Sequence, residues 1–330
     1  MGAPSRFRLP IWRGAPVTVE SSQMSGSLVA LTGATGFVGR HILAALRHAD
    51  IPCRILVRTP GKLPAPDDTV EIVRGSLQDR DALARLFLGA SSVVHCAGVV
   101  RGVTQAQFDV VNALAAGECA SLAAEAGVKR FLLISSLAAR EPGLSPYAAS
   151  KHRGEEAVVS NAGPMGVTIF RPPAVYGPGD REMLPLFRLM ARGIAPVFGA
   201  RDARFSLIYV EDLAAAVVAW ERSGGSPRGL LEIDDATPGG YGWDDVCEAV
   251  RTLTGRRVRQ IPLPAVLLGV PAALNTAAGL ASGYAPMLSL GKLRELRHPD
   301  WVCRAGPLPP DWQPAHRLAE GLEKTPGWRD

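Results

Sequence analysis

No Cys-x-x-Cys pair occurs in the 330 residues, and the five cysteines, Cys53, Cys96, Cys119, Cys247 and Cys303, are scattered and odd in number. That pattern excludes a zinc cluster and fits reduced thiols, several in strands and helices, of a cytoplasmic protein. No metal site is expected. Long runs of one charge sign are also missing. The 36 Lys and Arg against 31 Asp and Glu leave a net charge of +5, and the densest cluster, Arg256-Arg257-Val258-Arg259, is short. A mildly basic solvated surface is expected, with no nucleic-acid partner. Residues 1–26 carry Arg6, Arg8 and Arg13 before the first acid, Glu20, but lack the continuous apolar core of a signal peptide, and Pro10 and Pro16 break any helix. They read as a disordered extension, with a transit-like tail as the other reading and Met24 as a candidate natural start. The apolar stretch from Ile261 to Leu290 is interrupted by Pro262, Pro264, Pro271 and Asn275, which argues against a membrane span. Core or pocket lining is its default reading, and peripheral membrane contact the lesser one.

What the chain does have is alternation. Ser27 to Leu31, Arg54 to Val57, Val70 to Val73, Ser92 to His95, Arg130 to Ile134 and Val167 to Phe170 read as strands. Helical patterns separate most of them, including Asp81 to Phe87 and a long one from Gln105 to Ala126. The expected fold is α/β, a Rossmann-type doubly wound parallel sheet over residues 27–222 with helices on both faces. After Phe170 a proline- and glycine-rich loop, Arg171 to Asp180, breaks the rhythm; a helix from Met183 to Arg192, a strand from Phe205 to Val210 and a helix from Leu213 to Trp220 follow. Residues 223–330, interleaved with segment 172–204, read mostly as a smaller substrate lobe over the carboxyl edge of the sheet. No internal repeat is present.

Two local patterns carry chemistry. Between the first strand and first helix lies Thr32-Gly33-Ala34-Thr35-Gly36-Phe37-Val38-Gly39. Gly33 permits a tight turn, Gly36 lets backbone approach a pyrophosphate, and Gly39 allows close helix–strand packing, while the helix N-terminus attracts phosphate. Further on, Tyr147 and Lys151 stand four residues apart in Ser145-Pro146-Tyr147-Ala148-Ala149-Ser150-Lys151, so a phenol and an ammonium share one helix face. An ammonium there is expected to lower the phenol's pKa and make it an acid/base near neutral pH. Together the two patterns read as hydride-transfer chemistry.

These pieces, with His95-Cys96-Ala97-Gly98, Ser135-Ser136, Arg171-Pro172, Tyr176-Gly177-Pro178 and Tyr209-Val210-Glu211-Asp212, resemble the extended short-chain dehydrogenase/reductases, the NAD-dependent epimerase/dehydratase group. The likeness runs from about residue 27 to 222. The stretches Pro286 to Lys292 and Pro299-Asp300-Trp301 are similar to the 3β-hydroxysteroid dehydrogenase and dihydroflavonol reductase branch. The resemblance implies that Tyr147 is the acid/base, that Lys151 holds the nicotinamide ribose, and that Ser136 binds the substrate oxygen. Asn112 resembles the family's helix asparagine, with an ordinary buried amide as the alternative. Gly33, Thr35, Gly36, Phe37, Val38 and Gly39 would line the pyrophosphate, Ala97, Gly98 and Pro172 would follow the cofactor, and Ser76 and Leu77 would lie near the adenine. Ser76 stands where the family often has aspartate.

Cofactor choice is legible after the second strand. An acid there would bind the ribose 2′-hydroxyl of NAD, but this chain has Arg58, with Arg54 and Lys62 nearby and no acid between Asp50 and Asp67. NADP is therefore expected, with NAD still open. Ser136 is followed by Leu137-Ala138, not by the Asp-Glu pair of the family's 4,6-dehydratases. The diphosphate-binding arginine of its sugar-nucleotide enzymes is replaced by Phe205, beside Arg204. The expected function is interconversion of an alcohol and a ketone on a small lipophilic substrate. A sugar-nucleotide epimerase and a non-catalytic cofactor-binding scaffold, like some relatives in respiratory complexes, are the alternatives. A homodimer is compatible with this reading.

Overall fold

A computed structural model describes residues 27–59, 68–225, 227–282 and 288–330, with the side chains of 265–267 and 282 also left aside. The expectations placed on residues 1–26, Lys62, Pro286 and Met287 lie outside the described residues. Strand β1 (Val29–Thr32) passes through the glycine turn into α1 (Phe37–His48), and β2 (Cys53–Val57) and β3 (Val70–Arg74) follow. Helix α2 (Arg80–Phe87) starts where the Asp79 side chain accepts from the Ala82 amide at 2.9 Å, and leads to β4 (Ser92–His95). The long helix of residues 105–125 is built in three pieces. These are α3 (Gln105–Asp109), opened by a Thr104/Gln107 capping box, a single π turn (Val110–Leu114), and α4 (Ala115–Glu125). Strand β5 (Arg130–Ile134), a 3₁₀ turn (Leu137–Arg140), α5 (Pro146–Asn161) and β6 (Gly166–Arg171) complete this half.

The second half has shorter pieces: β7 (Ala174–Tyr176), α6 (Leu184–Ala191), β8 (Ile194–Phe198), β9 (Arg204–Phe205), β10 (Leu207–Tyr209), α7 (Val210–Arg222) and β11 (Gly229–Glu232). Then come α8 (Trp243–Thr254), β12 (Arg259–Leu263), α9 (Ala265–Ser282), α10 (Leu290–Arg297), β13 (Asp300–Trp301) and α11 (Leu318–Glu323). Seven strands form one parallel sheet in the order β11-β6-β5-β4-β1-β2-β3, a Rossmann-type doubly wound fold.

The five inner strands are buried on both sides, so their residues alternate between two cores. Val29, Leu31, Ile55, Leu132 and Phe170 pack under Ile42 and Leu46 of α1 and Leu213, Val217 and Trp220 of α7. Ala30, Leu56, Val93, Phe131 and Ile169 pack under Leu83, Leu86 and Phe87 of α2, Cys119 and Ala123 of α4, and Val158 of α5. Such two-sided burial explains the near-continuous apolar strand sequences. A third cluster gathers Tyr176, Phe187, Met190, Tyr209, Val246, Val250, Leu322 and Trp328.

Three local expectations are corrected. Residues 205–210 do not form one strand: β9 pairs with β13 and β10 with β7, because Ser206 between them turns its hydroxyl to Asp234 at 2.5 Å. Pro271 does not interrupt the Ile261–Leu290 stretch but lies inside α9, whose turns on either side offset the one missing amide. The sheet also takes its seventh strand, β11, from beyond residue 222, since Gly229–Glu232 finds the open edge of β6.

Candidate active site

The glycine turn is fixed by lack of room. Gly33 has φ +76°, and a Cβ there would stand 2.6 Å from the Ala97 amide nitrogen, while one on Gly39 would collide with the Gly33 carbonyl. The turn brings Thr35, Gly36, Phe37 and Val38 to the start of α1, whose first amides receive no side-chain cap. Ala97 joins them at the end of β4, its amide donating to Thr32 Oγ1 at 3.3 Å, and Gly98 follows. Bare amides at a helix N-terminus beside a backbone cradle with no Cβ fit the pyrophosphate of a nicotinamide dinucleotide. Gly75 ends its strand ahead of Ser76, whose hydroxyl accepts from the Gln78 amide at 3.3 Å, and Leu77 packs against the α2 core.

Arg58 and Arg54 part company. Arg58 follows β2, is exposed, and meets no ion-pair or hydrogen-bond partner among the described residues. Arg54 is spent on structure: it bonds Glu71 at 2.7 Å and the carbonyls of Arg85, Leu86 and Leu88 at the end of α2.

The candidate catalytic groups meet at the ends of β4, β5 and α5. Ser145 caps α5 by accepting from the Ala148 amide at 2.9 Å, Pro146 occupies the first turn, and Tyr147 and Lys151 follow on one face. The Tyr147 ring rests edge-on against Phe108 at 5.9 Å, and its hydroxyl shares a hydrogen bond with Ser136. Lys151 is buried and donates to the Ile134 carbonyl at 2.9 Å. The expected depression of the phenol is not what the structure holds. Burial pushes Tyr147 up to about 12, against the Ser136 hydrogen bond and with help from the Glu295 carboxylate. Lys151 is itself lowered to about 8 by burial, opposed by nearby Cys96 and Glu155. The ammonium points at strand β5, so it does not supply the expected pull.

Asn112 sits in the π turn, buried. Its Oδ1 accepts from the Val99 amide at 2.8 Å, and its Nδ2 donates to the Val99 carbonyl at 2.9 Å and to Ser150 Oγ at 3.0 Å. Every polar atom of the amide is engaged in joining the post-β4 loop to α5. Gly154 lets α5 come this close, since a Cβ there would collide with the Asn112 carbonyl. Pro172 contributes its carbonyl to the Leu137 amide at 2.8 Å, holding the segment after Ser136.

Sequence reasoning missed two carboxylates. Glu155, one turn beyond Lys151, is buried in a bidentate pair with Arg171 (2.9 and 2.5 Å) and accepts from Ser135. Its position, four residues after Lys151, was the available signal. Glu295 of α10 accepts from Ser145, the cap of the Tyr147 helix, and pairs with Lys292 at 3.3 Å. Gly291 makes the approach possible, since a Cβ there would stand 2.9 Å from that of Ser145. His95 is lowered by burial and by Lys151 to about 3 and stays neutral, with Nδ1 3.0 Å from Thr32 Oγ1. Burial pushes the Cys96 thiol up to about 12, so it is no nucleophile, and none of the five cysteines is in a disulfide.

The same architecture recurs in known proteins. The model of the NAD dependent epimerase/dehydratase family matches residues 29–229. Ceramide reductase of Caulobacter vibrioides (strain NA1000 / CB15N) is 41% identical over 303 residues, covering 91% of this chain and 94% of that protein. The mitochondrial NADH dehydrogenase (ubiquinone) 1 alpha subcomplex subunit 9 of Arabidopsis thaliana is 30% identical over 216 residues, 63% of this chain and 53% of its own length. The crystal structure of UDP-glucuronic acid 4-epimerase from Bacillus cereus in complex with NAD superposes with a TM-score of 0.65 at 17% identity, covering 90% of this chain and 97% of that one. That last likeness speaks for the fold alone. The chain belongs to the NAD dependent epimerase/dehydratase family, a family of nicotinamide-dependent oxidoreductases and epimerases.

Proposed function

We propose that the protein reduces a ketone on a lipophilic substrate of ceramide type, with NADPH as hydride donor. The observation that carries this reading is the occupation of Arg204. Its Nε donates to the Gly239 carbonyl at 2.6 Å, its Nη2 donates to that of Gly240 at 2.7 Å, and Asp245 lies 3.5 Å away. The neighbouring Phe205 packs edge-on against Trp243 at 5.4 Å. β9 therefore offers a diphosphate an aromatic wall and a guanidinium already engaged, which disfavours a sugar nucleotide. The 41% identical ceramide reductase supports the substrate class. The intact Tyr147–Lys151 pair speaks against a scaffold that has lost its chemistry.

In this mechanism a nicotinamide cofactor, when bound, would supply a hydride for the carbonyl carbon. Ser136 holds the carbonyl oxygen, and Tyr147 gives that oxygen its phenolic proton as charge develops there. Lys151 would orient the ribose, and Asn112 is a positioning residue that acts through Val99 and Ser150. Gly33, Thr35, Gly36, Phe37, Val38 and Gly39 would hold the pyrophosphate, Ala97, Gly98 and Pro172 would flank the nicotinamide half, and Ser76 and Leu77 would flank the adenine. A reducing, cytoplasmic setting suits five cysteines outside any disulfide. A homodimer belongs to the same reading, since Val110, Leu114 and Val159 leave apolar surface exposed on the long helix and α5.

A thermal-shift and turnover assay tests the substrate. With NADPH present, a long-chain ketone of the ceramide type is expected to raise the melting temperature and to be reduced, because a ligand bound only to the native state stabilises it. Stabilisation by a UDP- or GDP-sugar alone would overturn the reading in favour of an epimerase. Cofactor choice has its own test. One partly exposed Arg58–phosphate pair contributes on the order of 1.5–3 kcal/mol, about 10- to 150-fold in affinity. Arg58→Ala should lose that factor for NADPH and leave NADH binding unchanged. Tighter binding of NADH than NADPH by the unmodified protein would refute the role of Arg58.

A further inference from the structure

Helix α9 faces the wrong way for a helix of a water-surrounded fold. Its buried stripe is Ala272 and Gly279, with half-buried Thr276 between them. That stripe turns to α10: Thr276 Oγ1 accepts from the Leu290 amide at 3.2 Å, and Asn275 Nδ2 donates to the Leu288 carbonyl at 3.3 Å. The opposite stripe, at spacings of three and four, is Val270, Ala273, Leu274, Ala277, Leu280 and Ala281, all exposed. Val270, Leu274 and Leu280 show 62%, 65% and 61% of their surface, and Ile261 and Leu290 beside the helix show 38% and 41%. No charged residue occurs between Arg259 and Lys292. A surface helix normally turns its apolar residues inward, and a contiguous outward apolar face marks a place where something docks.

The surrounding charge says what docks. Residues 256–298 hold six Lys and Arg (Arg256, Arg257, Arg259, Lys292, Arg294 and Arg297) against one acid, Glu295, which is buried on Ser145. Apart from Lys292, paired to Glu295, these cations meet no acidic partner among the described residues. All six are exposed; Lys292, Arg294 and Arg297 lie on α10, the helix packed against α9, while Arg256, Arg257 and Arg259 lie at the end of β12 away from α9. A second copy seated on this face would bring like charges together, whereas an anionic lipid surface attracts them. No helix among the described residues is long and apolar enough to cross a membrane. A helix of 18 residues, about 27 Å long, instead suits a position in the plane of the interface. We infer that the outward face of α9, with the cations of α10 beside it, docks the protein on an anionic lipid bilayer. Because α10 joins α9 to the cap of the Tyr147 helix, that surface lies one helix away from the candidate active site. The inference goes beyond the substrate reading and stands or falls without it.

Vesicle co-sedimentation of the full chain tests it. Vesicles of phosphatidylglycerol mixed with phosphatidylcholine are expected to bind the protein at least roughly tenfold more tightly than phosphatidylcholine alone, with salt weakening the attachment. Leu274→Asp with Leu280→Asp should abolish sedimentation, and Arg294→Glu with Arg297→Glu should remove the preference for anionic lipid. NADPH-induced thermal stabilisation should persist in both double variants, showing that each is folded. Unchanged vesicle binding by the folded Leu274/Leu280 variant would overturn the inference, as would failure of the unmodified protein to bind either vesicle. Dimerisation that the same variant abolishes, with no lipid binding, would reassign the face to a second copy.

Discussion

Tyr147→Phe is expected to lower turnover by about two to four orders of magnitude while NADPH affinity stays nearly the same. The substitution removes one hydroxyl from a ring held against Phe108 at 5.9 Å, so packing survives and only the shared hydrogen bond with Ser136 is lost. Turnover measured with saturating cofactor, beside a separate cofactor titration, distinguishes the effects. Comparable turnover in the variant would remove Tyr147 from the acid/base role. The pH profile adds a direction. Burial and Glu295 keep the phenol protonated, pushed up to about 12. The acid needed for ketone reduction is thus present throughout the neutral range, and the reduction rate should be flat there. Alcohol oxidation needs the phenolate, whose fraction rises about tenfold per pH unit below the pKa, so the reverse rate should climb steadily. Glu295→Gln removes a raising influence and should move that climb to lower pH.

The first half of the fold was legible because its signals are local. A glycine at Gly33 or Gly39 is imposed by atoms within a few residues or on the adjoining strand, and the one-turn spacing of Tyr147 and Lys151 needs only helix geometry. The strand runs could be read because burial on both faces leaves them continuously apolar. The second half resisted for the opposite reason. β9 and β13 are two-residue strands that pair Arg204 with Asp300, and such a contact leaves no periodic trace. α9 could be read as apolar but not as exposed, because its orientation is set by where α10 sits. The direction of Lys151 was misjudged on the same ground: spacing puts it on the face of Tyr147, yet the Ile134 carbonyl decides where the ammonium goes.

Glu155 shows how much of the candidate site depends on such distant partners. In the sequence it is one acid on a polar helix; in the structure it joins Lys151's helix to Arg171 at the end of β6 and to Ser135, the neighbour of Ser136. Glu155→Ala should leave a buried guanidinium without its carboxylate, which costs about 3–5 kcal/mol. At about 2–4 °C per kcal/mol for a domain of this size, the melting temperature should fall by roughly 6–20 °C. A change too small to resolve would show that the pair is no brace. The double variant Glu155→Leu with Arg171→Met should regain most of the lost stability, because apolar packing replaces two desolvated charges without stranding either. Its turnover then separates two roles. If stability returns and turnover stays low, the pair serves to hold Ser136 and Lys151 in register between β5, β6 and α5. If both return, apolar packing holds the three elements equally well, and the charge itself adds nothing to the chemistry.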